Sequence, residues 1–409
     1  MIIREYDRIA IRETRDLEHN TISIHDANYL QRVIIDNNSV FVYGNRCLIA
    51  QQYVGVIQLP EFSIEILPKI YGEVDGAKLR DVLIRMLIVA NQMGSVRQIN
   101  AAVSLRKNAL SEILIQTFLI HLKKYVDSGL QHEYIKRAEN LDRVKGRILF
   151  SQQLRKNVLA PTRFYCRYSR YEVNNQLNRF FKCCLVEMRR LSRDAQNKKM
   201  ADDLLLSFDC ISDDDISTVL LYPIVFNSIN ERARESYQYG KLFLENLYTT
   251  LYTGDTNAYA MMFDMDKLYE KFIFRVAAQI FGNRIIYQKM GNYLVASNND
   301  NRRYVSLRPD LTLRISDNEQ WIIDTKWKMP GRFAKESDVY QMNAYATGIK
   351  NVSKVVLLYP RVERSDHLTG DYTLLSHSGV QHNLSIRFVD LMGCLNWSTF
   401  LKKFGHIFN

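Results

Sequence analysis

In the stretch RPDLTLRISDNEQWIIDTKWK, residues 308–328, Asp310, Asp324 and Lys326 have the types and the spacing for phosphodiester hydrolysis. Side chains alternate along a strand, so Ile322, Asp324 and Lys326 share one face while Trp321, Ile323, Thr325 and Trp327 take the other. The two apolar residues before Asp324 imply a strand covered on both sides, where a carboxylate needs a cation or a metal beside it. Asp310 follows Pro309 at the mouth of the preceding strand, and a hairpin through Ser316–Glu319 brings it beside Asp324. Hard carboxylate oxygens suit Mg²⁺ or Mn²⁺, which lowers the pKa of a bound water, and a neighbouring lysine orients the nucleophile or stabilises charge developing on phosphorus. The candidate catalytic residues are therefore Asp310, Asp324 and Lys326, and the candidate metal ligands Asp310, Asp324 and Thr325. A buried ion pair closing a hairpin is the structural alternative.

Three further residues join the candidate set. Glu270 sits at the edge of the apolar stripe Leu268, Phe272, Ile273, Val276, Ile280 of a helix, within reach of a metal site. Gln341 and Tyr345, four apart in DVYQMNAYATG, share a helix face on which an amide and a phenol can contact the metal ligands or a DNA backbone. Together these pieces resemble the PD…D/E-x-K nuclease superfamily, including the Q-x-x-x-Y helix of its RecB-like branch.

The elements that must position these residues predict an α+β multidomain chain of 409 residues, too long for one ordinary core. Residues 1–75 read as a β-rich domain with one helix near 26–36 and strands in VFVYG, RCLIAQQ, YVGVIQL and FSIEILPKI. Residues 76–253 read as a mainly helical, basic region. Residues 254–409 read as an α/β domain: a helix over 266–281, strands near 284–288, 303–315 and 320–327, a helix over 336–348, and the strand KVVLLYP.

Between His132 and Met200 there are 17 Lys/Arg against six Asp/Glu, so this segment carries the whole formal excess of +11 and points to an anionic partner. Within it Arg163, Arg167 and Arg170 alternate with Phe164, Tyr165, Tyr168 and Tyr171, cations and stackable rings that suit a nucleic-acid track. The acidic triplet Asp213–Asp215, flanked by serines, reads as a solvated turn or helix start. Six scattered cysteines without a C-x-x-C fit a reduced, cytoplasmic protein. No apolar run reaches the roughly 18 residues of a membrane span. No G-x-x-x-x-G-K-[ST] phosphate loop occurs, so nucleotide hydrolysis is not expected of this chain.

The segments VGVIQLPEFSIEILPKI, RVKGRILF, YEVNNQLNRFFKCCL, MFDMDKLYEKFI, RPDLTL, IIDTKWK, DVYQMNAYA and VVLLYPR, in this order, resemble the McrC family, the nuclease subunit of McrBC modification-dependent restriction systems. The resemblance runs from about residue 54 to 361, and the order of the motifs carries its specificity. It implies a DNA endonuclease of the PD-(D/E)xK type that acts on modified DNA with an McrB-like AAA+ ring, the ring hydrolysing GTP and this chain stimulating it. It also implies the catalytic set Asp310, Asp324 and Lys326. On this reading residues 1–75 dock the partner, and their removal leaves the metal site intact. A non-catalytic DNA-binding activator of the ring and a free-standing RecB-like repair nuclease are the competing readings.

Overall fold

The computed structural model describes residues 1–35, 37–70, 75–93, 109–248, 259–298, 302–362, 366–375 and 381–408. It is a mixed α+β chain of two compact units, Met1–Leu110 with Asn246–Asn409, and Ser111–Glu245. The helix Gly76–Ala90 belongs to the first unit, and the domain boundary expected at 253/254 lies outside the described residues.

In the first unit the N-terminal strands form where expected, but they do not close on themselves. A five-stranded sheet runs Ile2–Arg4, Ser63–Leu67, Tyr53–Gln58, Tyr259–Asp264, Leu247–Tyr248, so a strand from beyond residue 250 pairs antiparallel with Tyr53–Gln58. Gly55 makes that pairing possible. Its φ is +142°, and a Cβ there would stand 2.0 Å from the carbonyl oxygen of Met261. Ile57, Ile64, Ile66, Ala260 and Met262 share one buried apolar cluster with Ile9, Leu48 and Tyr53.

The helix Gly76–Ala90, capped by Asp75, joins this sheet to the C-terminal tail. Arg80 forms a buried two-point pair with Glu65, and Arg85 donates to the carbonyls of Cys394 (2.7 Å) and Leu395 (3.1 Å). The closing helix, Trp397–His406, lays Phe400 against Phe272 of the helix Met265–Phe281.

A six-stranded sheet orders Ile285–Tyr287, Leu311–Ser316, Glu319–Thr325, Val352–Pro360, His382–Val389, Gly370–Leu374. The helix Glu336–Gly348 connects the parallel pair Glu319–Thr325 and Val352–Pro360, burying Met342, Tyr345 and Ala346 with Val355, Leu357 and Tyr359. The single strand expected over 303–315 is two. Arg303–Leu307 pairs with Asn292–Ala296 in a separate ribbon, and Leu311–Ser316 enters the main sheet. Pro309 has no N–H to give a ladder and biases Arg308 toward an extended or turn conformation, so the chain changes sheets there.

The second unit holds the helices Gln176–Leu191, Ala195–Leu205 and Arg234–Glu245 within the stretch read as mainly helical. The first half of its basic segment, up to Glu172, is mainly sheet rather than helix. Glu133–Leu141, Phe164–Glu172 and Arg147–Ile148 form a three-stranded antiparallel sheet in which polar residues occupy both faces, so no apolar alternation announced it. Among the described residues, no helix is long and apolar enough to cross a membrane.

Candidate active site

The register of the hairpin sets the geometry. Leu311 pairs with Ile323, so the next residues outward, Asp310 and Asp324, meet at the open end of the two strands. Asp324 is fully buried, and Lys326 Nζ lies 2.5 Å from its Oδ2. That ammonium is the cation on Asp324, and among the described residues no amide or hydroxyl donates to either carboxylate oxygen. Burial first, and then the Asp310 charge, push the Asp324 carboxyl up to about 7. Asp310 is held differently: its Oδ2 accepts from both the amide and the hydroxyl of Thr325, each at 2.7 Å. Its carboxyl is also raised by burial, against the pull of those two donors.

Lys326 is the hub on the other side. Burial disfavours its charge, but Asp324 and Asp310 outweigh that and hold the ammonium above its ordinary value. Its Nζ donates to Gln341 Oε1 (2.9 Å), Gln341 Nε2 donates to Tyr345 Oη (2.9 Å), and Tyr345 Oη donates to the Arg308 carbonyl (3.1 Å). The two residues four apart on the helix therefore form a chain from the lysine back to the residue before Pro309.

Glu270 does not stand with the two aspartates. Among the described residues no group of three or more His, Cys, Asp or Glu is spaced to hold a metal, and Glu270 instead accepts from Gln288 Nε2 at 2.7 Å. Burial and the Asp310 charge raise its carboxyl.

Gln288 is the site residue that the sequence hid. Its amide N–H donates to the Asp310 carbonyl (2.8 Å), its Nε2 holds Glu270, and its Oε1 accepts from Arg308. A lone glutamine after a short strand has no motif; only the pairing of Ile285–Tyr287 with Leu311–Leu313 brings it to Asp310. Asp338 has no sequence signal for a similar reason. It is buried on the helix carrying Gln341 and accepts from Lys328 Nζ (2.7 Å) and Tyr359 Oη (3.2 Å).

A recess of about 680 Å³, lined by Lys289, Arg303, Arg314 and Lys350 together with Asp317 and Glu319, opens at the turn end of the same hairpin, away from the two aspartates. In the second unit, Arg163, Arg167 and Arg170 are all exposed but do not form one track. Arg167 and Arg170 are three apart on one strand and so face opposite ways, and Arg170 lies 3.5 Å from Glu172. The acidic triplet is spent locally: Asp215 caps the helix Ile216–Leu221, and Asp213 and Asp214 pair with Lys182 and Arg179.

One pH consequence follows from the buried carboxylates. A carboxyl whose folded pKa lies above its unfolded value supports the fold fully below the unfolded value and loses that support as pH rises through the folded one. For Asp324 this window runs from about 4 to about 7. In metal-free buffer, wild type is therefore expected to lose stability relative to Asp324→Asn as pH rises from about 4 to about 7. Denaturant titrations of both proteins across that range check it; a constant difference would contradict the burial of the charge.

The family model described as McrBC 5-methylcytosine restriction system component matches residues 48–360. A chain from the half-complex of the tetradecameric assembly of Thermococcus gammatolerans McrB AAA+ hexamers with bound McrC superposes with a TM-score of 0.65 at 20% identity, covering 100% of this chain and 99% of that one. A chain of the Thermococcus gammatolerans McrBC complex superposes with a TM-score of 0.50 at 24% identity, over 68% of this chain and 87% of that one. No curated protein matches.

Proposed function

The chain belongs to the family of McrBC 5-methylcytosine restriction system components, and from that premise we propose that it is the system's nuclease subunit, a metal-dependent endonuclease that cuts methylcytosine-containing DNA together with an McrB-like AAA+ GTPase ring. The observation that carries this reading is Asp324: a fully buried carboxylate beside the carboxylate of Asp310, with Lys326 in contact and no amide or hydroxyl donating to either oxygen among the described residues. Two buried carboxylates side by side are costly unless more positive charge than one lysine binds them. The sheet, the hairpin and the helix carrying Gln341 and Tyr345 support assignment to the PD-(D/E)xK type.

The residues present fit a hard divalent cation. Asp324 offers two oxygens and Asp310 the Oδ1 that Thr325 leaves open, and Mg²⁺ typically takes only one or two protein carboxylates, completing its shell with water and phosphate. Asp310 and Asp324 would hold it, with Thr325 orienting Asp310 through its amide and hydroxyl rather than through a ligand bond of its own. Such an ion supplies a nucleophilic water at neutral pH and charge neutralisation at the phosphate. Lys326, held by Gln341, presents an ammonium to the phosphate as negative charge grows on it. Tyr345 ties this helix to Arg308. Gln288 keeps Glu270 and Arg308 at the edge of the site.

The ring partnership rests on the similar chains, one from an assembly of McrB AAA+ hexamers with bound McrC and one from an McrBC complex. Cytoplasmic action on foreign DNA, with GTP consumed by the partner and its turnover stimulated by this chain, completes the proposal. It is tested by linearisation of methylated plasmid with partner, GTP and Mg²⁺ or Mn²⁺; activity that survives EDTA would overturn the metal-dependent reading.

Arg163 and Arg167, exposed and without a carboxylate partner among the described residues, are the arginines expected to meet DNA phosphates. Reversing both to glutamate is expected to weaken DNA association and to reduce the slope of log K against log salt by about 0.9 for each phosphate left without its arginine. Arg170→Ala alone is expected to change binding less, because Arg170 faces away from Arg167 across the strand. Equal salt slopes for wild type and the double variant, measured by fluorescence anisotropy, would remove this surface from the DNA interface.

A further inference from the structure

The proposed nuclease depends on how Lys326 is held, and the main chain holds it weakly. The strand Glu319–Thr325 ends one residue earlier, and the last main-chain bond of the run is from Lys326 N to the Leu358 carbonyl at 3.0 Å. Beyond that point three side chains take over. Lys326 binds Asp324 and Gln341, Lys328 binds Asp338, and between them Trp327 donates its indole N–H to Glu5, at 2.9 Å to Oε1 and 3.1 Å to Oε2.

Glu5 has no exposed surface, and Trp327 is 5% exposed. Among the described residues the Glu5 carboxylate accepts, besides the indole, only the Lys69 amide, at 3.0 Å, while its own N–H donates to the Leu67 carbonyl. The Trp327 ring lies 5.4 Å from that of Tyr269, which adjoins Glu270 on the helix Met265–Phe281. The indole is thus fixed from two sides, by the carboxylate of the N-terminal segment and by the helix behind the candidate site. An amide or hydroxyl would satisfy a single indole N–H; burial pushes the Glu5 carboxyl up to about 8, and its two oxygens accept from the indole and the Lys69 amide at once.

We propose that Glu5 is a positioning residue for the proposed cleavage, fixing the Trp327 indole so that the adjoining Lys326 ammonium keeps its place between Asp324 and Gln341. The proposal rests on the nuclease reading. It also gives the N-terminal segment a direct grip on the chemistry, so that anything displacing the strand Ile2–Arg4 would loosen the lysine.

The test uses the full chain with its partner ring, in single-turnover cleavage and in DNA-binding assays. Glu5→Ala is expected to lower the cleavage rate by about 10- to 100-fold, the scale of an ångström-level misplacement, with DNA affinity unchanged. Trp327→Phe is expected to do the same, and the double variant to be no worse than either, because both remove one interaction. Glu5→Gln, which keeps an acceptor for the indole, is expected to recover most of the rate, and it decides the matter if Glu5→Ala does not fold. A Glu5→Ala or Trp327→Phe protein that cleaves at the wild-type rate, or additive losses in the double variant, would overturn the proposal. In a Trp321→Phe, Trp397→Phe background, Glu5→Ala, which removes the acceptor, is also expected to shift the Trp327 emission, and Glu5→Gln to bring it back toward wild type. That measurement needs no cleavage: if wild type fails to cut, the nuclease reading falls, whereas an unshifted emission refutes the Glu5 contact by itself.

Discussion

Asp324→Ala and Lys326→Ala are each expected to reduce DNA cleavage by at least about a thousandfold while leaving the protein folded. Asp324 is the more telling of the two. It lies buried at the end of the hairpin with Lys326 and a second carboxylate beside it, and burial outweighs the lysine, so its ionised form is disfavoured in the free protein. Alanine removes a charge the fold does not need, and the ladder on either side, Ile323 against Leu311 and Asp324 against Leu357, is made by main-chain groups that survive the change. Lys326→Ala leaves Asp324 without its cation and Gln341 without its donor, so some loss of stability is expected together with the loss of rate. Nicking and linearisation of supercoiled methylated plasmid, with circular dichroism as the check on folding, measure both effects.

Deleting residues 1–75 is expected to abolish soluble protein, and with it every activity. The sequence reads this region as a separable docking module, but its strands Ile2–Arg4, Ser63–Leu67 and Tyr53–Gln58 are three of the five in the sheet that also holds Tyr259–Asp264. Their loss exposes Ala260 and Met262, strips Arg80 of Glu65, and removes the carboxylate that accepts from the Trp327 indole. More than a dozen buried apolar side chains go with them, and the apolar face of Tyr259–Asp264 that they cover is left open to water. Expression of the 76–409 protein, followed by size-exclusion chromatography, checks this. A monodisperse, folded product would show that the two halves of the sheet are independent.

What the sequence conveys best is local. The capped helix Met265–Phe281, the helix Glu336–Gly348 and the hairpin that sets Asp310 beside Asp324 are each written in periodicity and turn residues over short spans. What it conveys poorly is pairing at long range. Nothing in YAMMFD says that it lies against Tyr53–Gln58, two hundred residues earlier, and nothing around Glu5 says that its carboxylate ends on Trp327. Gln288 and Asp338 escape for the same reason, since their partners arrive from other strands. The charged sheet over Glu133–Glu172 escapes for another: with arginine and tyrosine on both faces, the period of two that marks a half-buried strand is absent.

The central claim is that this chain supplies the cutting chemistry and its AAA+ partner the nucleotide chemistry. The most direct test measures both at once: GTP turnover of the partner ring and linearisation of methylated plasmid, with wild-type, Asp324→Ala and Lys326→Ala chains at equal occupancy of the ring. The account predicts that both variants stimulate GTP turnover as wild type does and leave the plasmid uncut. A folded, ring-bound Asp324→Ala chain that linearises the plasmid at the wild-type rate would contradict it.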